Sequence, residues 1–240
     1  MLKFYDIHTH VLPGMDDGCQ TAEMSLAVLR SEFAQGAAGL VATPHYYPKE
    51  PIRTFLERRA AAGHRLFEAV SAKGLAEKYR GRIHLGAEVY YSRALASDPD
   101  LELLCVGRSR CMLLEMPFQQ WTPRVLDDVE EIIRVRGLRV VIAHLERYVR
   151  LTDADSIRRL LDMDVIIQMN AGGFIESSAR RRMLRYLREG VMQAIGSDTH
   201  NTDRRPPDIG QAADVICSAG LENELRSVFS MNERIFFGKV

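Results

Sequence analysis

The 240-residue sequence predicts an α/β protein, a single-domain distorted TIM-like (β/α)7 barrel, on three observations. Short β-rich runs, seven in all, alternate with amphipathic helical stretches, which implies parallel strands. Each run carries a chemistry-bearing polar residue at or just beyond its C-terminal end, and five of the seven histidines sit at those ends. In a barrel the loops after the strands share one face, so residues from every strand converge there. An open sheet would bring together only the strands beside its switch point.

The first run, LKFYDIH, opens into DIHTH. Side chains alternate along a strand, so Asp6, His8 and His10 point one way and Ile7 and Thr9 the other, and two histidines at i and i+2 can share one metal ion. An isolated HxH is equally an ordinary strand end bonded to backbone, and the later runs decide between the two. TAEMSLAVLRSEFAQG reads as a helix, and GLVATPH then delivers His45. The long helical stretch TFLERRAAAGHRLFEAVSAKGLAEKYR contains His64, expected in solvent. RIHLGAEV supplies Glu88; His84 shares its parity and is either a core histidine or a group behind the site. CMLLEMP supplies Glu115, and RVLDDVEEIIRVRG is a helix stopped by glycine. LRVVIAH ends on His144, SIRRLLDM is helical, and DVIIQMN ends on Asn170. The helical RRRMLRYLREG precedes VMQAIGSD, which brings Asp198 and, just beyond, His200.

Composition narrows the function classes. Lys+Arg and Asp+Glu both number 32, so no global field draws the chain to nucleic acid or an acidic membrane. No basic segment followed by an apolar one opens the chain, and no apolar run approaches the length of a membrane span. A cytoplasmic protein without membrane insertion is expected. Cys19, Cys105, Cys111 and Cys217 show no CxxC spacing, and none has an arginine six residues later. A zinc knuckle and a cysteine-phosphatase loop are thereby excluded.

His8, His10, His45, Glu88, Glu115, His144, Asp198 and His200 together offer five imidazoles and three carboxylates, more than one ion takes. Mixed nitrogen and oxygen donors without thiolate suit Mn²⁺, Fe or Zn²⁺ better than Mg²⁺. Arg147 and Arg205 follow site strands, and a planar guanidinium fork suits phosphate oxygens. Arg204 is the neighbouring alternative. Tyr46, Tyr47, Phe118 and Trp121 also follow site strands, where they either line a cleft or pack loops.

DIHTHVLPGMDDG, ATPHYYP, GAEVYYS, LLEMPF, AHLERY and GSDTHNTDRRPP, in this order, resemble the motifs of the polymerase and histidinol phosphatase (PHP) superfamily. Within it they resemble the bacterial manganese-dependent tyrosine-protein phosphatases of capsular and exopolysaccharide synthesis. The resemblance implies one PHP-type domain over residues 1–240. It implies a trinuclear centre, with Mn²⁺ first and Fe or Zn²⁺ as alternatives, held by the eight residues above, with Glu88 and Glu115 as bridges. Asp17 of MDDG becomes the acid beside the metals, Asp16 being the alternative, and Arg147 and Arg205 become substrate-binding. A metal-bridged hydroxide attacking phosphorus in line is the mechanism implied, with no covalent phosphoenzyme. The implied substrate is a phosphotyrosyl protein, the tyrosine-rich tail of a bacterial polysaccharide-synthesis kinase. Alternatives are a PHP small-molecule phosphatase acting on a histidinol-phosphate-like ester, a nuclease, or a non-catalytic binding module on the same barrel. The last requires lost ligands, and none is lost.

Overall fold

The structure, a computed structural model, describes residues 2–107 and 109–240. Its strands are β1 (Phe4–Thr9), β2 (Ala37–Ala42), β3 (His45–Tyr46), β4 (Ile83–Leu85), β5 (Glu88–Tyr90), β6 (Cys111–Glu115), β7 (Arg139–Ile142), β8 (Val165–Asn170) and β9 (Ala194–Gly196). The helices are α1 (Ala22–Ala34), α2 (Ile52–Ala72), α3 (Ala76–Tyr79), α4 (Pro123–Arg136), α5 (Ala154–Leu161), α6 (Gly172–Ile175), α7 (Ser177–Arg188), α8 (Ile209–Ser218) and α9 (Glu222–Phe236).

Every strand pairing is parallel, as the alternating pattern predicts, but the strands divide into two sheets. One has the order β1-β2-β4, and the other, β3-β5-β6-β7-β8-β9, curves as a half-barrel. A single uninterrupted seven-stranded barrel is therefore not what the ladders record. Two of the seven predicted runs are broken: GLVATPH into β2 and β3, and RIHLGAEV into β4 and β5. Pro44 lacks the N–H that would continue the first ladder. At the second break a Cβ on Gly86 would come within 3.2 Å of Val41 Cγ1, tighter than an ordinary contact with the neighbouring strand. Backbone bonds from Gly86 to Ala42 (2.8 Å) and from Glu88 to Pro44 (3.1 Å) keep the two breaks side by side. His45 and Glu88 thus enter the larger sheet in register with each other. An isolated parallel bridge, Thr9 to Thr199, joins the ends of β1 and β9.

Helix boundaries follow local chemistry. The Thr21 hydroxyl caps α1 by accepting from the Met24 amide at 3.3 Å. Pro123 opens α4, and Gly137, with φ +61°, closes it. The long predicted helix breaks near Gly74, whose φ of +67° separates α2 from α3. The two C-terminal helices complete the core. In α9, Asn232 donates to the carbonyls of Tyr5 and Ile195, both at 2.7 Å, and accepts from the Ile195 amide at 3.1 Å. One buried amide thereby ties β1 to β9, while Phe229 packs on Phe4 with ring centroids 5.6 Å apart. Each such fully buried apolar side chain contributes about 1.5–3 kcal/mol. That packing holds β1 against β9, the two strands whose C-terminal ends carry polar residues.

Candidate metal centre

The strand ends deliver their residues as predicted. His8 and His10 leave β1, His45 opens β3, Glu88 opens β5, Glu115 ends β6, His144 follows β7, and Asp198 and His200 follow β9. Three sets of donor atoms lie close enough to hold an ion: His8, His10 and Asp198; His45, Glu88 and Glu115; and His10, Asp17, His45 and His200. His144 is in none of these sets, but its Nε2 lies 2.8 Å from Glu88 Oε1 and 3.6 Å from Glu115 Oε1. All eight predicted ligands therefore share one neighbourhood, with Asp17 beside them. Asp6, expected on the same face as His8 and His10, is in none of the sets. The register shifts beyond Asp6, and its carboxylate instead accepts from the amides of His8 (3.0 Å) and Ser197 (3.2 Å).

Hydrogen bonding fixes which imidazole nitrogens are free. The His144 amide donates to Gln168 Oε1 at 2.8 Å, so that atom is the acceptor which His8 Nδ1–H meets at 3.2 Å. His10 Nδ1–H donates to Asp16 Oδ2 at 2.7 Å. Both Nε2 atoms are then lone pairs in the neutral rings. They lie 3.3 Å apart, each is 3.2 Å from Glu88 Oε2, and they are 3.5 and 3.4 Å from Asp198 Oδ1. Lone pairs facing carboxylate oxygens repel unless positive charge lies between them. Burial opposes protonation of His8 and His10, but the carboxylates outweigh it: Glu88 and Asp198 raise His8, and Asp16, Asp198 and Glu88 raise His10 well above its ordinary value. Divalent cations supply the same charge without protons. Glu88 Oε2 and His45 Nδ1, buried and 3.1 Å apart with no aligned hydrogen bond, fit as donors to a common ion. The donor set fits hard to borderline divalent metals.

The backbone is strained at the same place. Among the described residues only His144 (φ +34°) and Asp198 (φ +54°) are non-glycine residues in the left-handed region, and both are predicted ligands. Such conformations cost of order 1–3 kcal/mol each and cluster at functional sites. Close approach requires glycine nearby: a Cβ on Gly18 would fall 2.3 Å from the His10 carbonyl, and one on Gly196 2.6 Å from His8 Cβ. Burial together with the Glu88 charge pushes Glu115 up to about 8. Burial and the charges of His10 and Arg205 pull His200 down to about 4.

The two aspartates of MDDG separate. Asp16 is buried and accepts from His10 and from the amides of His45 and Gly18, both at 2.9 Å, so it orients ligands from behind. Asp17 is 66% exposed, with Oδ1 3.2 Å from His200 Nε2 and 3.6 Å from His45 Nε2, at the mouth. The adjacent arginines separate too. Arg205 reaches Asp198 Oδ2 at 2.5 Å and His200 Nε2 at 2.7 Å, and Arg147 reaches the same Asp198 oxygen at 2.6 Å. The Arg204 side chain takes no partner among the described residues and turns toward an adjoining recess. Of the four aromatics, Tyr47 stacks on His45 (centroids 5.3 Å) and Phe118 on His144 (5.8 Å), both about half exposed. Tyr46 and Trp121 are buried in the core. His84 stacks on Phe236 at 3.9 Å, away from the site, and His64 is exposed.

Sequence reasoning passed over Gln168. Its Oε1 holds His8 and the His144 amide, and its Nε2 donates to Asn170 Oδ1 at 2.9 Å, while Asn170 in turn donates to Asp198 at 2.9 Å. The signal was a lone amide in an apolar strand, two residues before Asn170 on the same face.

Similarity to known proteins points the same way as the geometry. The chain is 29% identical over 246 residues to tyrosine-protein phosphatase CpsB of Streptococcus pneumoniae, covering 95% of this chain and 96% of that one. It is 26% identical over 209 residues to tyrosine-protein phosphatase YwqE of Bacillus subtilis strain 168, covering 83% and 78%. Its fold matches one of the crystal structures of Bacillus subtilis YwqE and Streptococcus pneumoniae CpsB, described as unique metal-dependent tyrosine phosphatases. The TM-score is 0.82 at 21% identity, over 98% of this chain and 95% of that one. Residues 4–237 match the capsular polysaccharide synthesis family CpsB/CapC, the kind of family the motifs resemble. On that match, spanning nearly all of its length, the chain belongs to the CpsB/CapC family of capsular polysaccharide synthesis proteins.

Proposed function

We propose that this chain is a metal-dependent protein-tyrosine phosphatase acting in the cytoplasm on the tyrosine-rich tail of a bacterial polysaccharide-synthesis kinase. The observation that carries this reading is the facing of His8 and His10 lone pairs with Glu88 and Asp198, while two guanidinium groups are fixed on that same Asp198. The relatives named tyrosine-protein phosphatases support the substrate class. Residues 1–240 form one PHP-type domain, and the two sheets, bridged at Thr9 and Thr199, form one distorted TIM-like (β/α)7 barrel.

His8, His10, His45, Glu88, Glu115, His144, Asp198 and His200 hold a trinuclear centre, for which Mn²⁺ is the first candidate and Fe or Zn²⁺ the alternatives. Bound divalent cations supply Lewis acidity, lowering the pKa of water toward neutrality and offsetting charge on the phosphate. Arg147 and Arg205, 37% and 36% exposed, grip phosphate oxygens with the part of each fork that faces the cleft. Asp17 orients or hands over a proton at the leaving oxygen. A phenol's pKa of about 10 makes that help modest. Tyr47 and Phe118 flank the substrate ring.

The test is metal content per chain measured together with turnover of a phosphotyrosyl peptide, histidinol phosphate and single-stranded DNA. Chelator-sensitive turnover of the peptide above the other two is expected, and preference for either competitor would replace the reading. Thiol alkylation should leave activity intact. Cys19 is buried, its thiol pushed up to about 11 by burial, and the exposed Cys217 lies on α8. Full inactivation of metal-loaded protein by iodoacetamide would contradict a reaction without a thiol nucleophile.

A further inference from the structure

Beside the metal centre lies a second recess of about 360 Å³, opened by Gly172 and Gly173 of α6 and sharing Arg147, Asp198 and Arg205 with the site. Its other cations are Arg182 on α7 and Arg204 in the loop after β9. Among the described residues neither guanidinium lies within ion-pair distance of a carboxylate, and Arg182 Nε is buried without an acceptor. That distinguishes them from Arg147 and Arg205, which are already engaged by Asp198.

The acids of the recess do not neutralise this pair. Glu146 faces the adjacent Arg147, and Glu176 stands exposed at the rim, accepting the Ser178 hydroxyl. Asp208 is buried on the inner wall, where burial and the charges of Asp6 and Asp198 push it up to about 8. Two guanidinium groups without a carboxylate partner among the described residues thus line a recess that also includes Arg147, Asp198 and Arg205. Arg204 and Arg205 are chain neighbours, their Cα atoms about 3.8 Å apart, and they serve adjacent spaces.

We propose that this recess is a second anion subsite, in which Arg182 and Arg204 bind an anionic side chain flanking the phosphotyrosine of the substrate. The shared ligand chemistry is a carboxylate or phosphate oxygen pair, supplied by an acidic residue or by a second phosphotyrosine. The proposal rests on the phosphotyrosine reading above and adds to it a preference for the residues around the target. An anion held away from the reacting phosphorus contributes chiefly to ground-state binding, so the preference appears in KM and weakens as salt rises.

The test uses metal-loaded protein and three phosphotyrosyl peptides alike except for the flanking residue, which is glutamine, glutamate or a second phosphotyrosine. The unaltered protein should show a KM about five- to tenfold lower for an anionic flank than for glutamine, the scale of one or two screened charge-assisted contacts. Arg204→Gln and Arg182→Gln should each narrow that gap while leaving kcat, and all kinetics on the glutamine peptide, unchanged. A gap for both anionic peptides assigns the subsite to carboxylate and phosphate alike; a gap for the doubly phosphorylated peptide alone assigns it to phosphate. Equal KM for all three peptides, or a gap that survives both substitutions, overturns the proposal. Fluorescence anisotropy of the same labelled peptides on chelated protein reads the preference without turnover. If no peptide is hydrolysed, the enzymatic reading fails while anisotropy still decides the subsite.

Discussion

Glu88 and Asp198 at the centre of the site and Asp208 on its arginine flank are buried carboxylates pushed in opposite directions. Glu88 and Asp198 are 1% and 2% exposed, and burial opposes their ionisation. The charge of His8 and the close imidazole of His10 nevertheless hold both well below the usual carboxylate range. On the flank Asp208, 8% exposed, is pushed up to about 8 because no imidazole or guanidinium offsets its burial. Burial is common to both regions; the partner decides the charge. Glu88 and Asp198, with imidazoles turned toward them, favour positive charge between them, and a flank of arginines beside a neutral acid accepts anions. Under the proposed function, a phosphate ester held between metals and arginines needs both.

The largest effect should come from breaking the centre at its most shared atom. Glu88 Oε2 lies within 3.2 Å of three imidazole nitrogens, so Glu88→Ala removes a donor common to all of them. Activity should be abolished and bound metal reduced, as metal analysis of the purified variant would read. Glu115→Ala should act in the same direction. Normal metal content with normal turnover in either variant would remove that carboxylate from the site.

Breaking the flank should cost less and leave the centre loaded. Arg147→Ala or Arg205→Ala removes charge-assisted bonds worth about 1.5–3 kcal/mol each, roughly a ten- to hundredfold loss in kcat/KM. Metal content should be unchanged. Lysine at either position should recover only part of the loss, because a point charge cannot reproduce the planar fork. Unchanged kinetics for Arg205→Ala on a phosphotyrosyl peptide would free that arginine from the role assigned to it.

Gln168 sits where the two regions meet and sharpens the comparison. Gln168→Leu takes the acceptor from His8 Nδ1 and from the His144 amide without touching any donor atom of the centre. Partners behind metal-bound histidines typically govern about tenfold or more in metal affinity. The expected result is a right-shifted metal titration of activity with near-normal turnover at saturation. A loss of turnover that excess metal does not restore would give Gln168 a different role.

The clustering of the eight residues was legible in the sequence because each is a polar residue at the end of an apolar run, a pattern that local chemistry alone cannot explain. Period-two alternation also separates Tyr46, buried opposite His45, from Tyr47, which returns to the site side. What the sequence hid depends on contacts across the chain. The breaks at Pro44 and Gly86 matter only because backbone bonds from Gly86 to Ala42 and from Glu88 to Pro44 hold them side by side. Asn232 reads as an ordinary polar position in a helix, yet it ties β1 to β9 from the far end of the chain. The separation of Arg204 from Arg205 and of Asp16 from Asp17 follows from loop conformation, which adjacent residues of one type do not encode.

The smallest expected effect is on stability, and it isolates the flank from the centre. In the folded protein Asp208 has its pKa raised to about 8, against an ordinary aspartate value of about 3.9 in the unfolded chain. Between those values the native state binds more protons than the unfolded state, so this group's contribution to stability falls as pH rises from about 4 to about 8. Below that window the buried acid is neutral in both states and costs nothing extra. Asp208→Asn keeps the shape and removes the titration. The Tm advantage of the variant over the unaltered metal-loaded protein should therefore be smallest near pH 4 and grow steadily as pH rises to about 8.5. Because the centre is untouched, metal content should not change. If the two proteins lose stability in parallel as pH rises, the neutral acid of the flank is not Asp208, and the contrast with Glu88 must rest on a different group.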